Sequence, residues 1–554
     1  QQGLVTTTEF GESDFGKRLN YSKPKYRDPF FAVCYIVHVI FVLAAGIYIW
    51  VKEYPEITSS SNTSTSTSTT YSPDDSTVDW TDFPFAGVVV AAFACILAGV
   101  LFGVCWLQVM KKFAGIIIKA MLFFNIGIWV AVGIVGIALG EDGLSLAIIG
   151  FIMAAFYSLW TWCIWRRIPF ASALLGISGT IISKYQGTVI ISLSVIVFNV
   201  LWLLIWASCA AAYYLTAAEN QTTTCDEYDE CTTTGGPSSV ITFFLLVSMY
   251  WGFQVNKNIS HTTTCGVAAT WYFTTVIDHK PTPAAFKRTM TTSFGSVCLG
   301  SLIVAFLQAL RAMLRSSRNG RSCLALVALC LLNCVERLIR YFNKYAYAQC
   351  AIYGTSFIQS AKATWNLFMT RGILALINDD LTGMAIMCGA LIGGVVSAAV
   401  GYFVGAAFYG GGEYYPYIAI VLAVAGFFIG LIFCSCVLMV LASCVIALFV
   451  CFAEDPAAMN QNRPEEYNRL VEAKAEWANV YTTYGGARVQ AVGPTMAVAP
   501  AQPVVYVQGQ APPQQQQPAQ TYYAPQQQYQ QPQQQPVTYV VQQPQQQPPP
   551  TSGY

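Results

Sequence analysis

Residues 29–51 read PFFAVCYIVHVIFVLAAGIYIWV, without a single Lys, Arg, Asp or Glu. A bilayer core about 30 Å thick is crossed by about 20 helical residues rising ~1.5 Å each. The stretch is therefore a membrane span, and its surroundings are read against a bilayer. Whole-chain composition agrees: 55% of residues are hydrophobic and 10% charged, against about 25% charged in an average soluble domain. Such a chain cannot cover a water-facing surface with polar groups. The expected fold class is all-α, a polytopic bundle of about ten transmembrane helices followed by a disordered tail.

The flanking charges sort the segments by side. Before the first span stand Lys17, Arg18, Lys23, Lys25 and Arg27; after it come Glu53, Glu56, Asp74, Asp75, Asp79 and Asp82, with Lys52 the one cation. By the positive-inside rule residues 1–28 form a cytoplasmic leader and residues 52–84 an outer loop. The leader is polar and the first span too long for a signal h-region, so no cleavable signal peptide is expected. Further spans are expected at Phe85–Val109, with Lys111 and Lys112 at its inner end, and at Phe113–Leu139, with Glu141 and Asp142 outside. Leu144–Trp165 ends inside at Arg166 and Arg167, and Thr188–Tyr214 follows an amphipathic connector. Ser239–Ile277 is too long for one ordinary span and is interrupted by Lys257, Asn258, Ser260 and His261, which suggests a broken or overlong helix. Met290–Leu310 and a segment from Cys323 onward form either two spans or a re-entrant hairpin; Met384–Phe408 and Pro416–Phe452 close the bundle. Because Lys and Arg follow membrane side and form no patch, the net charge of +1 points to no nucleic-acid partner.

The outer loops carry two sequons, at Asn62 and Asn220, and the Ser/Thr run Thr58–Thr70 fits either O-glycosylated or plain solvated chain. Of 18 cysteines, Cys225 and Cys231 fall in an outer loop and are expected to bridge. Residues 29–455 form the bundle, with outer loops near 52–84, 215–238 and 409–415, and residues 456–484 include a short cytoplasmic helical segment. Residues 485–554 are Gln- and Pro-rich with almost no charge, a composition that buries no core. Pieces such as Pro548–Pro550 suit proline-motif-binding proteins, or simply solvent.

Inside the bundle, Gly87, Ala91, Cys95, Gly99 and Gly103 make one small-residue face that admits a close neighbouring helix. Gly389, Gly393, Gly401 and Gly405 repeat it. No HExxH, GxSxG or Walker A pattern occurs in a usable context and no CxxC pair is matched by histidines, so neither an enzyme, a metal nor a cofactor is expected. Asp379–Asp380 is the nearest thing to an acidic site, and helix capping accounts for it. The candidate substrate-binding residues are Tyr250, Trp251, Asn258, His261, Trp271 and Tyr272, polar and aromatic groups around the interrupted helix. Aromatic faces hold quaternary ammonium groups, and polar groups at membrane depth line cavities. With 13 Trp and 31 Tyr in the chain, ordinary packing and interfacial belts claim many aromatics. Glu336, Arg337 and Arg340 read as an interfacial ion-pair network.

Several stretches resemble the choline transporter-like family: Arg167–Ala171 (RIPFA), His261–Phe273 (HTTTCGVAATWYF), Ser293–Ala305 (SFGSVCLGSLIVA), Asn343–Gly354 (NKYAYAQCAIYG), Ser360–Lys362 and Cys451–Ala453. The resemblance runs in order over roughly residues 27–455. The short first outer loop and the Gln/Pro tail are similar to its fungal branch, the pH-nine-sensitive proteins. It implies a ten-span plasma-membrane protein moving choline or a related amine, and it supplies no catalytic residues to carry over; the charge sorting places both termini in the cytoplasm. The other reading is a non-transporting membrane organiser that recruits partners through its tail.

Overall fold

The computed structural model describes residues 25–52, 85–225, 231–274, 280–316, 323–410 and 415–473. Asn62, the leader before residue 25 and the Gln/Pro tail lie outside them. The described chain is helical: α1 Pro29–Lys52, α2 Phe85–Ala138, α3 Leu144–Ile164, α4 Ile168–Lys184, α5 Gly187–Glu219, α6 Ser239–Phe273, α7 Pro281–Met290, α8 Phe294–Ser316, α9 Cys323–Tyr353, α10 Phe357–Tyr409, α11 Tyr415–Glu454 and α12 Pro456–Asn462. Residues 464–473 form a further helix. Among the described residues eight helical segments are long and apolar enough to cross a membrane.

That number differs from ten at two places. Two spans were expected between Phe85 and Leu139, reversing at Lys111–Lys112. The structure instead runs one helix through both, 54 residues long, or about 80 Å at ~1.5 Å per residue. Residues 107–113 hold neither glycine nor proline, so nothing interrupts the hydrogen-bond ladder there. The turn comes at Gly140, whose φ of +71° is open to glycine and strained for other residues. From there α3 and α4 return along α2. A Cβ on Gly150 would stand 2.5 Å from the nitrogen of Gly133, and one on Gly136 would stand 2.3 Å from that of Ala147, so the two backbones nearly touch. The second difference is α9, which carries Glu336, Arg337, Arg340 and Lys344 and is not among the eight.

The expected break at Lys257–His261 is also absent: α6 is continuous over 35 residues. Each amide there keeps its helical partner, and the Asn258 and His261 side chains find partners on neighbouring helices. Among the described residues the one departure from all-α lies in the loop between α5 and α6. Thr222–Cys225 and Cys231–Thr234 pair as a two-stranded antiparallel ribbon with Cys225 directly opposite Cys231. Both strands are runs of β-branched threonine, which suits extended backbone.

The small-residue faces form a three-helix seam. Gly87, Ala91, Cys95, Gly99 and Gly103 are all buried. Gly99 of α2 meets Gly430 of α11, whose absent Cβ would stand 2.2 Å from Ser397 Oγ of α10. Within the seam Ser397 Oγ donates to the Cys95 carbonyl at 3.2 Å, and Cys95 Sγ donates to the Ser397 carbonyl at 3.3 Å. Lipid tails are as apolar as the helices and give them no hydrophobic drive to associate, so close packing and these bonds hold the seam. The main apolar core continues inward from it, around Met110, Leu174, Leu175, Tyr272 and Phe449.

Candidate functional site

Asn258, His261 and Cys265 recur at helical spacing on one face of α6, and that face turns into the bundle. Asn258 Nδ2 donates to Ser301 Oγ of α8 at 2.9 Å and to the Tyr347 hydroxyl of α9 at 3.2 Å. Tyr347 fits because Gly300 lacks a Cβ, which would stand 2.5 Å from its hydroxyl oxygen. Asn343 Nδ2 caps the Gly300 carbonyl at 3.1 Å. One turn further along α6, His261 Nε2 lies 2.9 Å from the Lys344 carbonyl and Nδ1 lies 2.8 Å from Ser443 Oγ of α11. A carbonyl only accepts, so Nε2 carries the hydrogen; Nδ1 faces the Ser443 hydroxyl, which also donates to the Met439 carbonyl at 2.9 Å. The Tyr347 ring stands edge-on to the imidazole, 6.3 Å between centroids. The result is a polar layer between α6, α8, α9 and α11, with Asn258, Ser301 and Tyr347 all buried.

The six expected residues do not gather around one cavity. Tyr250 and Trp251 sit about two turns before Asn258, in a cluster with Tyr35 and Phe294. Trp251 stacks on His38 at 5.1 Å, meets Tyr35 edge-on at 5.0 Å and donates Nε1–H to the Cys298 carbonyl at 3.0 Å. Trp271 and Tyr272 lie about 15 Å beyond His261, at ~1.5 Å per residue. There the Trp271 face is covered by the Arg463 guanidinium, 5.1 Å from the ring centroid. The Tyr272 hydroxyl donates to the Asp455 carbonyl at 2.8 Å. An aromatic face that accepts a cation is present, but the chain's own Arg463 fills it.

Ser301, Tyr347, Asn343 and Ser443 were not singled out from sequence. The signal lay in the stretches SFGSVCLGSLIVA and NKYAYAQCAIYG, which hold Ser301 and Tyr347. Glu336 is buried between Arg311, at 2.8 Å, and Arg340, so an ion-pair network forms between α8 and α9 with Arg311 where Arg337 was expected. Cavities of about 300 Å³ and about 500 Å³ lie away from α6, the first beside Lys111 and Arg469 and the second between α1 and α5. Asn220 ends α5 exposed, with its amide donating to the Thr216 carbonyl at 2.9 Å. The side chains of Cys225 and Cys231 lie outside the description.

A family model described as plasma-membrane choline transporter matches residues 148–457. The chain belongs to the choline transporter-like family. A CTL-like protein of Dictyostelium discoideum is 29% identical over 483 residues, 84% of this chain and 77% of that protein. Protein PNS1 of Kluyveromyces lactis is 28% identical over 82% of this chain and 83% of its own. Protein PNS1 of Mycosarcoma maydis reaches 35% over 42% of this chain and 45% of its own. The matched region takes in every residue of the polar layer, while α1 and α2 precede it. This choline transporter-like protein is a multi-pass membrane protein of a transporter family.

Proposed function

We propose that the protein carries choline or a related organic amine across the plasma membrane by alternating access, with both termini cytoplasmic. The observation that carries this reading is the buried polar layer Asn258–Ser301–Tyr347 and His261–Ser443, set between the apolar helices α6, α8 and α11 and the charged helix α9. Polar groups at membrane depth are expensive and mark solute pathways. The layer offers neutral oxygens and an aromatic ring but no carboxylate, which suits a soft quaternary cation better than a small hard one. In the packed arrangement its members bond to one another. Substrate takes their place when α6 and α9 part, trading the Asn258 bonds for contacts to the amine. Lys344, whose carbonyl meets His261, places its ammonium 5.9 Å from the Tyr341 ring centroid.

The test is radiolabelled choline uptake into proteoliposomes of purified protein under an inside-negative potential. A potential of 100 mV is worth ~2.3 kcal/mol per charge, roughly fiftyfold accumulation at equilibrium. Saturable uptake that rises with the potential and is competed by other quaternary amines is expected. Uptake no greater than in empty liposomes, from protein that elutes as a single folded species, overturns the reading. On the outer side, we propose that Cys225 and Cys231 are disulfide-bonded and that Asn62 and Asn220 carry glycans. The antiparallel register supports the bridge, since directly opposed residues have Cα atoms about 4.5–5.5 Å apart, within disulfide range.

A further inference from the structure

The 300 Å³ cavity lies where α4 crosses α2 and the 464–473 helix meets both. Its cations are Lys111 and Lys112 of α2 and Arg469, set against one carboxylate, Glu472. Two glycines bring α4 down onto α2 here: a Cβ on Gly176 would stand 3.3 Å from the Lys111 carbonyl, and one on Gly179 would stand 2.9 Å from Lys111 Cγ. The same would-be Cβ on Gly176 would stand 3.6 Å from an Arg469 guanidinium nitrogen, so this small-residue face of α4 borders both Lys111 and Arg469. Among the described residues none of the three cations has a carboxylate within ion-pairing distance. Transport across the polar layer gives this cluster no task, since it lies on another face of the bundle.

From this we infer that the cavity binds the phosphate-bearing headgroup of an anionic lipid in the inner leaflet. Three observations converge on a lipid. Uncompensated cations around an open, helix-walled cavity match a phosphate group, and basic pockets between helices on the cytoplasmic side bind such headgroups. The site lies at interfacial height: Lys119 sits over the Trp165 ring at 5.3 Å, followed by Arg166 and Arg167, and tryptophan with basic residues marks the membrane–water boundary. Immediately beside Lys112 on the same helix, Phe113 and Ile116 are exposed, at 49% and 66%. Those side chains offer acyl chains an apolar track leading from the cations, which a free phosphate ion would not use. Ser172, whose hydroxyl is taken by the Pro169 carbonyl at 2.8 Å, lines the wall and leaves the cations as the recognising groups.

The experiment is native mass spectrometry of the full chain in detergent, titrated with dioleoyl phosphatidylinositol 4-phosphate and, for comparison, dioleoyl phosphatidylcholine. Each basic residue at an anionic surface contributes about fivefold, so the K111Q/K112Q/R469Q variant should bind the phosphoinositide on the order of 100-fold more weakly. Removing three cations elsewhere, in K25Q/K280Q/K287Q, should leave its affinity within a few-fold of the parent. Ser172→Trp keeps every charge but fills the cavity, and should also abolish the tight adduct. Equal phosphoinositide binding by parent, K111Q/K112Q/R469Q and S172W overturns the site. Displacement of the lipid by inorganic phosphate or inositol 1,4-bisphosphate at matching concentration overturns the lipid as its ligand.

Discussion

Gly430→Ala tests the three-helix seam most directly. Its new methyl carbon would stand 2.3 Å from Ser397 Cβ, 2.2 Å from Ser397 Oγ and 2.9 Å from the Gly393 carbonyl, against 3.4 Å or more in ordinary contact. Ser397 Cβ is fixed to the backbone, so rotating the serine cannot relieve the clash. Either α10 and α11 move apart or the helices bend. Overpacking of this kind costs about 1–3 kcal/mol, and displacing Ser397 also strains its bond to Cys95, about 1 kcal/mol more. Alanine recovers about 1 kcal/mol over glycine in a helix. The net expectation is destabilisation by about 2 kcal/mol. Gly127 sits on α2 with nothing within 4 Å of its would-be Cβ, so Gly127→Ala should be neutral or stabilising by up to ~1 kcal/mol. Ser397→Gly removes both clashing serine atoms, so G430A/S397G should recover at least ~1 kcal/mol relative to the sum of the single changes, as expected for residues in contact. SDS-titrated unfolding in mixed micelles, followed by tryptophan fluorescence, orders the parent, G430A, G127A, S397G and G430A/S397G. Should G430A unfold at or beyond the parent midpoint, or should G127A lose as much as G430A, the reasoning about the seam is wrong.

Three shorter predictions follow from the same structure. Asn258→Leu removes the donor to Ser301 and Tyr347 while roughly keeping volume, and should lower choline uptake at least tenfold on the scale of a lost polar recognition contact; uptake kinetics equal to the parent would remove Asn258 from the pathway. Trp271→Ala uncovers Arg463, whose cation–π contact contributes about 0.5–1 kcal/mol, and should speed backbone hydrogen–deuterium exchange across residues 464–473 several-fold in folded protein; unchanged exchange would mean the contact holds nothing. A non-reducing peptide map should show the Cys225 and Cys231 peptides joined and separating on reduction; free thiols at both positions in protein from a secretory host would exclude the bridge.

Much of the bundle was legible because the bilayer imposes a simple rule. Lipid offers backbone groups no partner, so each span must be helical and apolar for about 20 residues, a signal that needs no tertiary knowledge. The small-residue spacing on α2 was equally legible, since fourfold periodicity places Gly87 through Gly103 on one face whatever lies opposite. The turn at Lys111–Lys112 was misplaced for a local reason. Charge sorting marks which side a residue prefers, whereas reversing the chain needs a broken hydrogen-bond ladder, and Gly140 supplies that break. The interruption assigned to α6 failed similarly: Lys257, Asn258 and His261 are polar but not helix-breaking.

For the site, sequence singled out Asn258 and His261 because polar residues at membrane depth are conspicuous within a single helix. It grouped them with Tyr250, Trp251, Trp271 and Tyr272 because these are neighbours along the chain. At ~1.5 Å per residue, though, α6 spreads the six over some 33 Å, too far for one ligand. Their partners Ser301, Tyr347 and Ser443 come from three other helices, 43, 89 and 182 residues away from the α6 residues they bond. Whether a serine or tyrosine in an apolar run is a packing residue or a hydrogen-bond partner depends on what another helix places opposite it. Composition, periodicity and charge therefore determine that this chain is a helical membrane bundle and which helix carries polar groups inward. The polar layer, the cation already seated on Trp271 and the basic cavity beside α2 were decided by tertiary structure, because each is a contact between helices that no single segment encodes.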